Sequence, residues 1–499
     1  MRKIGKKHHK NLAALIILLA LSGAVIAGNQ TGILNFVEYK LYDPRINFFA
    51  HRTLKSQDII LVLLDQESIE NAQRERGWGW PWPRKAYADL LDYLNLGGAK
   101  SVSFDMLYSE PSIYRSINDN EDDASFARAA ESYGRVVQGV LFSTQTGDVY
   151  SWPPDLDKPF FKTENFDSFI SSFDLTNDYR GEETKVRGQF PIKELRDTAA
   201  IVGSVTGRSD TDHIYRRLRL FTIFDGKPVP SLGAAALLAS GYDNTISYDS
   251  VKKLIRWGEY TVPVDDEGKT LLRFRGDPIT RYPRYPMYDV LKSAEDYAAG
   301  IKPEYSPEDF NGTYVFVGVY GPGLYDIFPS PISSTYPGMG AHVTMLDNLL
   351  MGDFITKAPD WLAMVIIAGS VLLMVILVLY SGVIVVTIAG MVISIAALII
   401  AGFLAFRAGW WIPMAAPIIA VSLSYLTATL YSYATEGKDK RFIKNAFSRI
   451  LSPKVIDQII ADPSQLKLGG ERRKMTAIFT DVQRFSTISS VLQDEYGED

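Results

Sequence analysis

The chain contains no cysteine. Disulfides, thiolate zinc sites and cysteine nucleophiles are therefore excluded, and any part outside the cytoplasm must hold together by core packing alone. A strong charge bias is missing too. Lys and Arg number 52 against 57 Asp and Glu, a formal charge of −5, which gives no reason to expect nucleic-acid binding. What the chain does have is an uneven distribution of apolar residues. Residues 12–27 and 361–433 are almost purely apolar, whereas 40–355 has the mixed composition of a soluble globular protein. At 499 residues the chain exceeds one ordinary domain, and two or three soluble units with connectors are expected.

The apolar runs divide by their punctuation. Leu12–Ala27 follows the basic stretch MRKIGKKHHK. It reads either as a cleaved signal peptide, with Val25-Ile26-Ala27 resembling a cleavage site, or as an uncleaved anchor, the reading preferred for a 16-residue run. Trp361–Tyr380 and Val383–Phe406 each suffice for one crossing. Trp410-Trp411 marks an interface, and a last span runs to Tyr433. Basic residues flank the first span on its N-terminal side and the last on its C-terminal side (Lys438, Lys440, Arg441, Lys444). By the positive-inside rule both ends are cytoplasmic, and four crossings agree in parity. The expected plan is a cytoplasmic N-terminus at 1–11, spans at 12–28, 361–380, 383–406 and 410–433, and an extracytoplasmic domain at 29–360. A cytoplasmic linker helix at 434–470 and a last soluble segment at 471–499 follow. That describes a multi-pass protein of an inner membrane, with the lipid bilayer as a partner.

Ile59–Asp65, Ser101–Leu107, Ala199–Val205 and Thr313–Tyr320 read as buried strands, and Lys85–Gly98 as a helix between the first two. Strand–helix–strand at this spacing predicts a parallel α/β unit. Asp65 and Asp105 fall at or near the C-terminal ends of adjacent strands, where α/β folds place ligands. They serve either as sensor-site residues or as caps of the following segments. GWGWPWPR, residues 77–84, is either an aromatic binding surface or a rigid buried loop feeding the helix. The second reading is preferred because large aromatics mostly serve packing.

Six ordered segments carry a resemblance: VEYKLYDPRINFF, DIILVLLDQESI, GWPWPRKAYADLL, GAKSVSFDMLYSEP, DTDHIYRRLRL and YPGMGAHVTMLDNLLMGDFI. Together they resemble the CHASE-two (CHASE2) domain, an extracytoplasmic sensor module of bacterial membrane signalling proteins, over residues 35–355. The resemblance implies an α/β sensor with an unknown extracytoplasmic ligand and three helices just downstream. His213-Ile214 departs from it, where the family commonly shows glycine near a tight turn.

Beyond the last span, Ile443, Phe447, Ile450 and Leu451 repeat at helical spacing. This stripe suits a dimer seam or a membrane-surface helix. Met475–Asp481 then reads as a short strand ending in a carboxylate, with a turn and a helix after it. A strand-end aspartate is a suitable ligand for a phosphate-handling divalent ion, although most such residues are caps. The string FSRILSPKVIDQII followed by LGGERRKMTAIFTDVQRFSTIS resembles the entry to class III adenylate/guanylate cyclases, which have an α+β ferredoxin-like catalytic domain. The resemblance implies Asp481 and the carbonyl of Val482 as ligands of Mg2+ or Mn2+. It also implies the backbone of Gln483, Arg484, Phe485 and Ser486 along the phosphates of ATP, homodimerisation, and synthesis of cyclic AMP with release of pyrophosphate. Arg484 replaces a frequent glycine, which is tolerated if the position has negative φ. The second metal carboxylate and the base-selecting residues would lie beyond residue 499, so the chain by itself is expected to be inactive. Two other readings stand beside this one. The first is an inert membrane sensor. The second is a diguanylate cyclase, disfavoured by Gln483 and Ser486.

Overall fold

The protein is described from a computed structural model, covering residues 2–115, 120–158, 160–162, 186–321, 326–381, 383–447, 474, 476–481 and 483–497. It divides into two units, residues 1–428 and 429–499.

The first unit is built on a sheet of seven strands: β1 (Ile59–Asp65), β2 (Ser101–Asp105), β3 (Val136–Ser143), β4 (Arg187–Gln189), β5 (Ile201–Ser204), β6 (Arg284–Pro286) and β7 (Tyr314–Tyr320). Their order is β6-β1-β7-β2-β3, with β4 and β5 both paired to β3. All pairings are parallel except β3 with β4. The parallel β–α–β reading of residues 59–105 is correct in direction. However, β7 lies between β1 and β2, so Asp65 and Asp105 do not end neighbouring strands.

The sheet has helices on both faces, and β1 shows why its sequence is apolar throughout. Ile60, Val62 and Leu64 face one core with Leu90 and Leu91 of helix α4 (Arg84–Leu96) and Phe126 of α5 (Glu121–Tyr133). Ile59, Leu61 and Leu63 face a second core with α6 (Leu232–Ala239) and Val343 and Leu346 of α8 (Met339–Met351). Helices α3 (Gln66–Arg76) and α7 (Met287–Ala298) add Ala72, Met287, Val290 and Leu291 to the first core. Small antiparallel pairings between residues 217 and 271 complete the second core. At the tight turn flagged from sequence, His213 has φ +64°, the conformation that glycine adopts without strain.

Four helices are long and apolar enough to cross a membrane, over Leu12–Gln30, Asp360–Ser381, Ile384–Arg407 and Ala415–Ala434. They belong to α1 (Arg2–Gln30), α9 (Asp360–Ser381), α10 (Ile384–Arg407) and α11 (Ala415–Phe447). Helix α1 packs on α9, and α9 on α10. Between α1 and the sheet lies α2 (Asn35–Ala50), whose Phe48 and Phe49 rings meet Phe403 and Phe406 of α10. Between α10 and α11, Trp410–Trp411 pairs in parallel with Thr356–Lys357.

A chain of buried charges surrounds this junction. Glu38 and Arg45 of α2 pair at 2.6 Å, with side chains 6 % and 2 % exposed. Arg216 grips Asp43 through two bonds of 2.7 Å and also binds Asp210 and Asp212. Arg275 binds Asp347 at 2.6 Å, both fully buried, and the second Asp347 oxygen accepts the Ser56 amide. Buried charges persist only when paired and hydrogen-bonded in this way.

In the second unit, helix α12 (Phe485–Tyr496) forms as the sequence predicts. The expected strand before it does not: residues 476–481 have no regular structure, and Ile478 and Phe479 are 84 % and 96 % exposed. An apolar run becomes a strand only when neighbours pair its backbone and cover its side chains. Among the described residues nothing does so. Residues 448–473, Met475 and Val482 lie outside the described residues, so most of the expected linker helix is not placed.

Candidate ligand cavity

The carboxyl ends of β2, β3, β5 and β7 open into a cavity of about 710 Å³, lined from their side by Asp105, Leu141, Val205, Val319 and Tyr320. A cleft at the carboxyl end of a parallel sheet is where α/β folds bind ligands. The size is that of a site for a small organic molecule.

One wall is the tryptophan–proline loop. Trp82 is 1 % exposed and reaches into the core, while Trp80 is 37 % exposed, and both line the cavity with Pro81. The Trp80–Pro81 bond is cis. The two readings of this loop therefore describe different residues of it: Trp82 packs, and Trp80 presents its ring. The loop delivers the chain to α4, whose first amide N–H groups, of Arg84 and Lys85, donate to Asp122 of α5 at 2.8 and 2.9 Å. Arg84 is held in place by Asp123 at 3.4 Å and the Tyr108 ring at 4.3 Å, and donates to the Glu110 carbonyl.

The opposite wall is the start of α8 and the segment before it. Gly318 of β7 is paired with Asp105, and a β-carbon at Gly318 would lie 2.8 Å from the Met339 sulfur. A β-carbon at Gly338 would lie 2.8 Å from an Asp326 carboxylate oxygen. The two glycines thus bring β7, α8 and Asp326 into direct contact around the Asp105 side chain. Asp326 and His342 complete this wall.

The cavity's electrostatics are unusual. Among the described residues none hydrogen-bonds the carboxylate of Asp105 or of Asp326. Burial, reinforced by the like charge of Asp326, pushes Asp105 up from 3.8 to about 7. His342, 3 % exposed, is pushed down to about 4 by burial and is neutral at pH 7. It therefore offers no positive charge. The lining arginines are already paired, Arg84 with Asp123 and Arg217 with Asp210 at 2.7 Å.

The two sensor-site candidates separate. Asp105 lines the cavity and Asp65 does not. Asp65 is the N-cap of α3, accepting the Ser68 amide at 2.8 Å. Asp65→Ala should destabilise the chain by about 1 kcal/mol, and Asp65→Ser should recover most of that. Thermal unfolding of the purified chain checks it. Asp326 and His342 were missed from sequence, because only the fold brings them beside residue 105. The available signals were two glycines far apart in the chain, Gly318 within a strand and Gly338 in the segment YPGMGAH.

At the other candidate site, Asp481 is exposed and Arg484 is the N-cap of α12 with φ +65°. The condition that made arginine acceptable there, a negative φ, is not met. The position has the left-handed backbone that suits glycine. Gln483, Phe485 and Ser486 are exposed beside it. Among the described residues no three His, Asp or Glu side chains converge as metal ligands. Asp481 is the one carboxylate of the expected two-metal site that lies among the described residues.

Comparison with known proteins gives one family. No curated protein and no solved structure matches the chain. The CHASE2 domain model matches residues 14–384. This is an extracytoplasmic sensor domain of signalling receptors, and its match takes in the sheet, the cavity and the first of the clustered apolar helices. The chain belongs to the CHASE2 family.

Proposed function

We propose that this chain is the sensing and membrane-spanning part of a bacterial receptor whose output is cyclic nucleotide synthesis. The observation that carries the sensing half is the cavity at the carboxyl edge of the CHASE2 sheet, with Asp105 uncompensated inside it. In this reading a small molecule fills the cavity outside the cytoplasm. The ordered buried charges between α2, α8 and the 407–415 segment then pass the change to the apolar helices. Both chain ends are cytoplasmic, and residues 29–360 lie outside.

The absence of cysteine makes the topology directly testable. Val251 is 91 % exposed. A Val251→Cys variant should react with a membrane-impermeant maleimide in intact cells freed of their outer membrane. A Lys3→Cys variant should react only after the membrane is opened. The reverse pattern would refute the orientation.

The catalytic half rests on the resemblance of residues 442–495 to class III cyclases. Adenylate rather than guanylate cyclase is the family-level choice, with homodimerisation through the linker and catalytic segments. Asp481 and Val482 would hold the Mg2+ or Mn2+ that neutralises the triphosphate, but the described residues assemble no such centre, and no catalytic step follows from them. The coding sequence after residue 499 decides the matter. A second aspartate with a Lys/Asp purine pair supports the cyclase, and in that protein Asp481→Ala should abolish cyclic AMP formation while leaving membrane insertion intact. A stop codon there rejects it for this chain, and a GGDEF-like turn favours a diguanylate cyclase.

A further inference from the structure

We infer that the ligand of the cavity is a protonated amine carried on an apolar body, its ammonium group held by Asp105 and Asp326. This rests on the reading that the cavity is the sensor's binding site, and names the chemistry it takes.

The inference follows from what the cavity offers and what it lacks. It offers acceptors. Neither the Asp105 nor the Asp326 carboxylate has a donor among the described residues. Beside them His342, 3 % exposed, has an Nδ1 without a partner. A buried acceptor without a donor costs free energy that a suitable ligand recovers.

The cavity lacks a free positive charge. Arg84 and Arg217 are already held by Asp123 and Asp210. An anionic ligand would meet two carboxylates with nothing to offset them, and a neutral one would leave them uncompensated. A divalent ion is a poorer fit, because among the described residues no three acidic or histidine side chains converge on one point. An ammonium with two or three N–H donors matches both the charge and the acceptor count. The remaining lining supplies the rest of the ligand's environment: Phe274, Ile279, Phe328 and Met339 are apolar, and the exposed Trp80 ring stands at the wall. A fully alkylated ammonium has no N–H for the two carboxylates, so primary and secondary amines are preferred over quaternary ones.

The test uses the purified full chain in detergent, with calorimetry and tryptophan emission as readouts. The probes are phenethylamine, its trimethylated form, phenethyl alcohol and phenylacetate, which share one apolar body. Phenethylamine should bind about tenfold more tightly than the alcohol or the trimethylated form, and phenylacetate more weakly still. Asp105→Asn should weaken phenethylamine about tenfold and leave the alcohol within about twofold. Equal or tighter binding of the alcohol or phenylacetate overturns the amine assignment while leaving the cavity as the binding site. Amine binding unchanged in the Asp105→Asn/Asp326→Asn double variant also overturns it. No binding of any of the four probes rejects the cavity reading itself.

Discussion

Asp105→Asn should make the protein more stable at pH 8 and leave it nearly unchanged at pH 4. The carboxyl of Asp105 is raised from 3.8 to about 7 in the folded state, by burial first and by Asp326 second. Below the unfolded value both states carry the proton, and the group contributes nothing to the pH dependence. Between 3.8 and about 7 the folded state holds a proton that the unfolded state has released, so stability falls as pH rises. Above that window the penalty is constant. The full shift corresponds to about 4 kcal/mol. Asp105 borders a cavity open to water, and solvent screening reduces this to roughly 2 kcal/mol. Among the charged side chains lining the cavity, Asp326 opposes ionisation, Arg84 and Arg217 are committed elsewhere, and His342, pushed down to about 4, is neutral over nearly all of the window. Thermal unfolding of both proteins at pH 4, 6 and 8 should show midpoints that separate as pH rises. Equal midpoints at pH 8 would mean that a cation already compensates the carboxylate. A residue whose removal stabilises the fold is characteristic of a site kept for binding.

The second large effect is expected at Glu38. Its two oxygens accept from Arg45 (2.6 Å), the Trp411 indole (2.8 Å), and the amides of Met414 (2.6 Å) and Ala415 (2.8 Å), the last two opening helix α11. One carboxylate thus neutralises a buried guanidinium and caps a helix that the chain reaches only much later. Glu38→Ala leaves the arginine charge and three N–H groups without an acceptor, and should cost about 3–5 kcal/mol. The Arg45→Ala change should cost less in the Glu38→Ala background than in the native one, because the isolated charge is then gone. Denaturant unfolding of the solubilised chain measures both. A loss below about 1 kcal/mol for Glu38→Ala would show that water replaces the carboxylate and that the junction is not dry.

Some of this was legible before any coordinates. The continuous apolar run of β1 announces a strand covered on both faces, and β1 is one. The segment VEYKLYDPRINFF gave no hint of its purpose, because Glu38, Asp43 and Arg45 find their partners at Trp411 and Arg216, far along the chain. Asp105 could be placed at a strand end from alternation alone. Its function could not, since Asp326 and His342 reach it only through the two glycines that let β7 and α8 touch. β7 itself was read correctly as a strand. Nothing local says that it inserts between β1 and β2, because parallel strands are joined by long connections that sequence periodicity does not order. Residues 476–481 fail for the complementary reason: strand propensity without a neighbour yields no strand.

The short ladder between Thr356–Lys357 and Trp410–Trp411 has a mechanical consequence. Backbone bonds from Thr356 to Gly409 (2.8 Å) and from Ala358 to Trp411 (2.8 Å) fasten the chain to itself on either side of α9 and α10. That hairpin therefore leaves and returns at one clasp, and a push on the clasp moves both of its ends together. Helix α11 starts just past the same clasp, at Ala415, and is the segment through which the chain continues. The two ends of the α9–α10 hairpin and the start of α11 are thus held at one point of the chain.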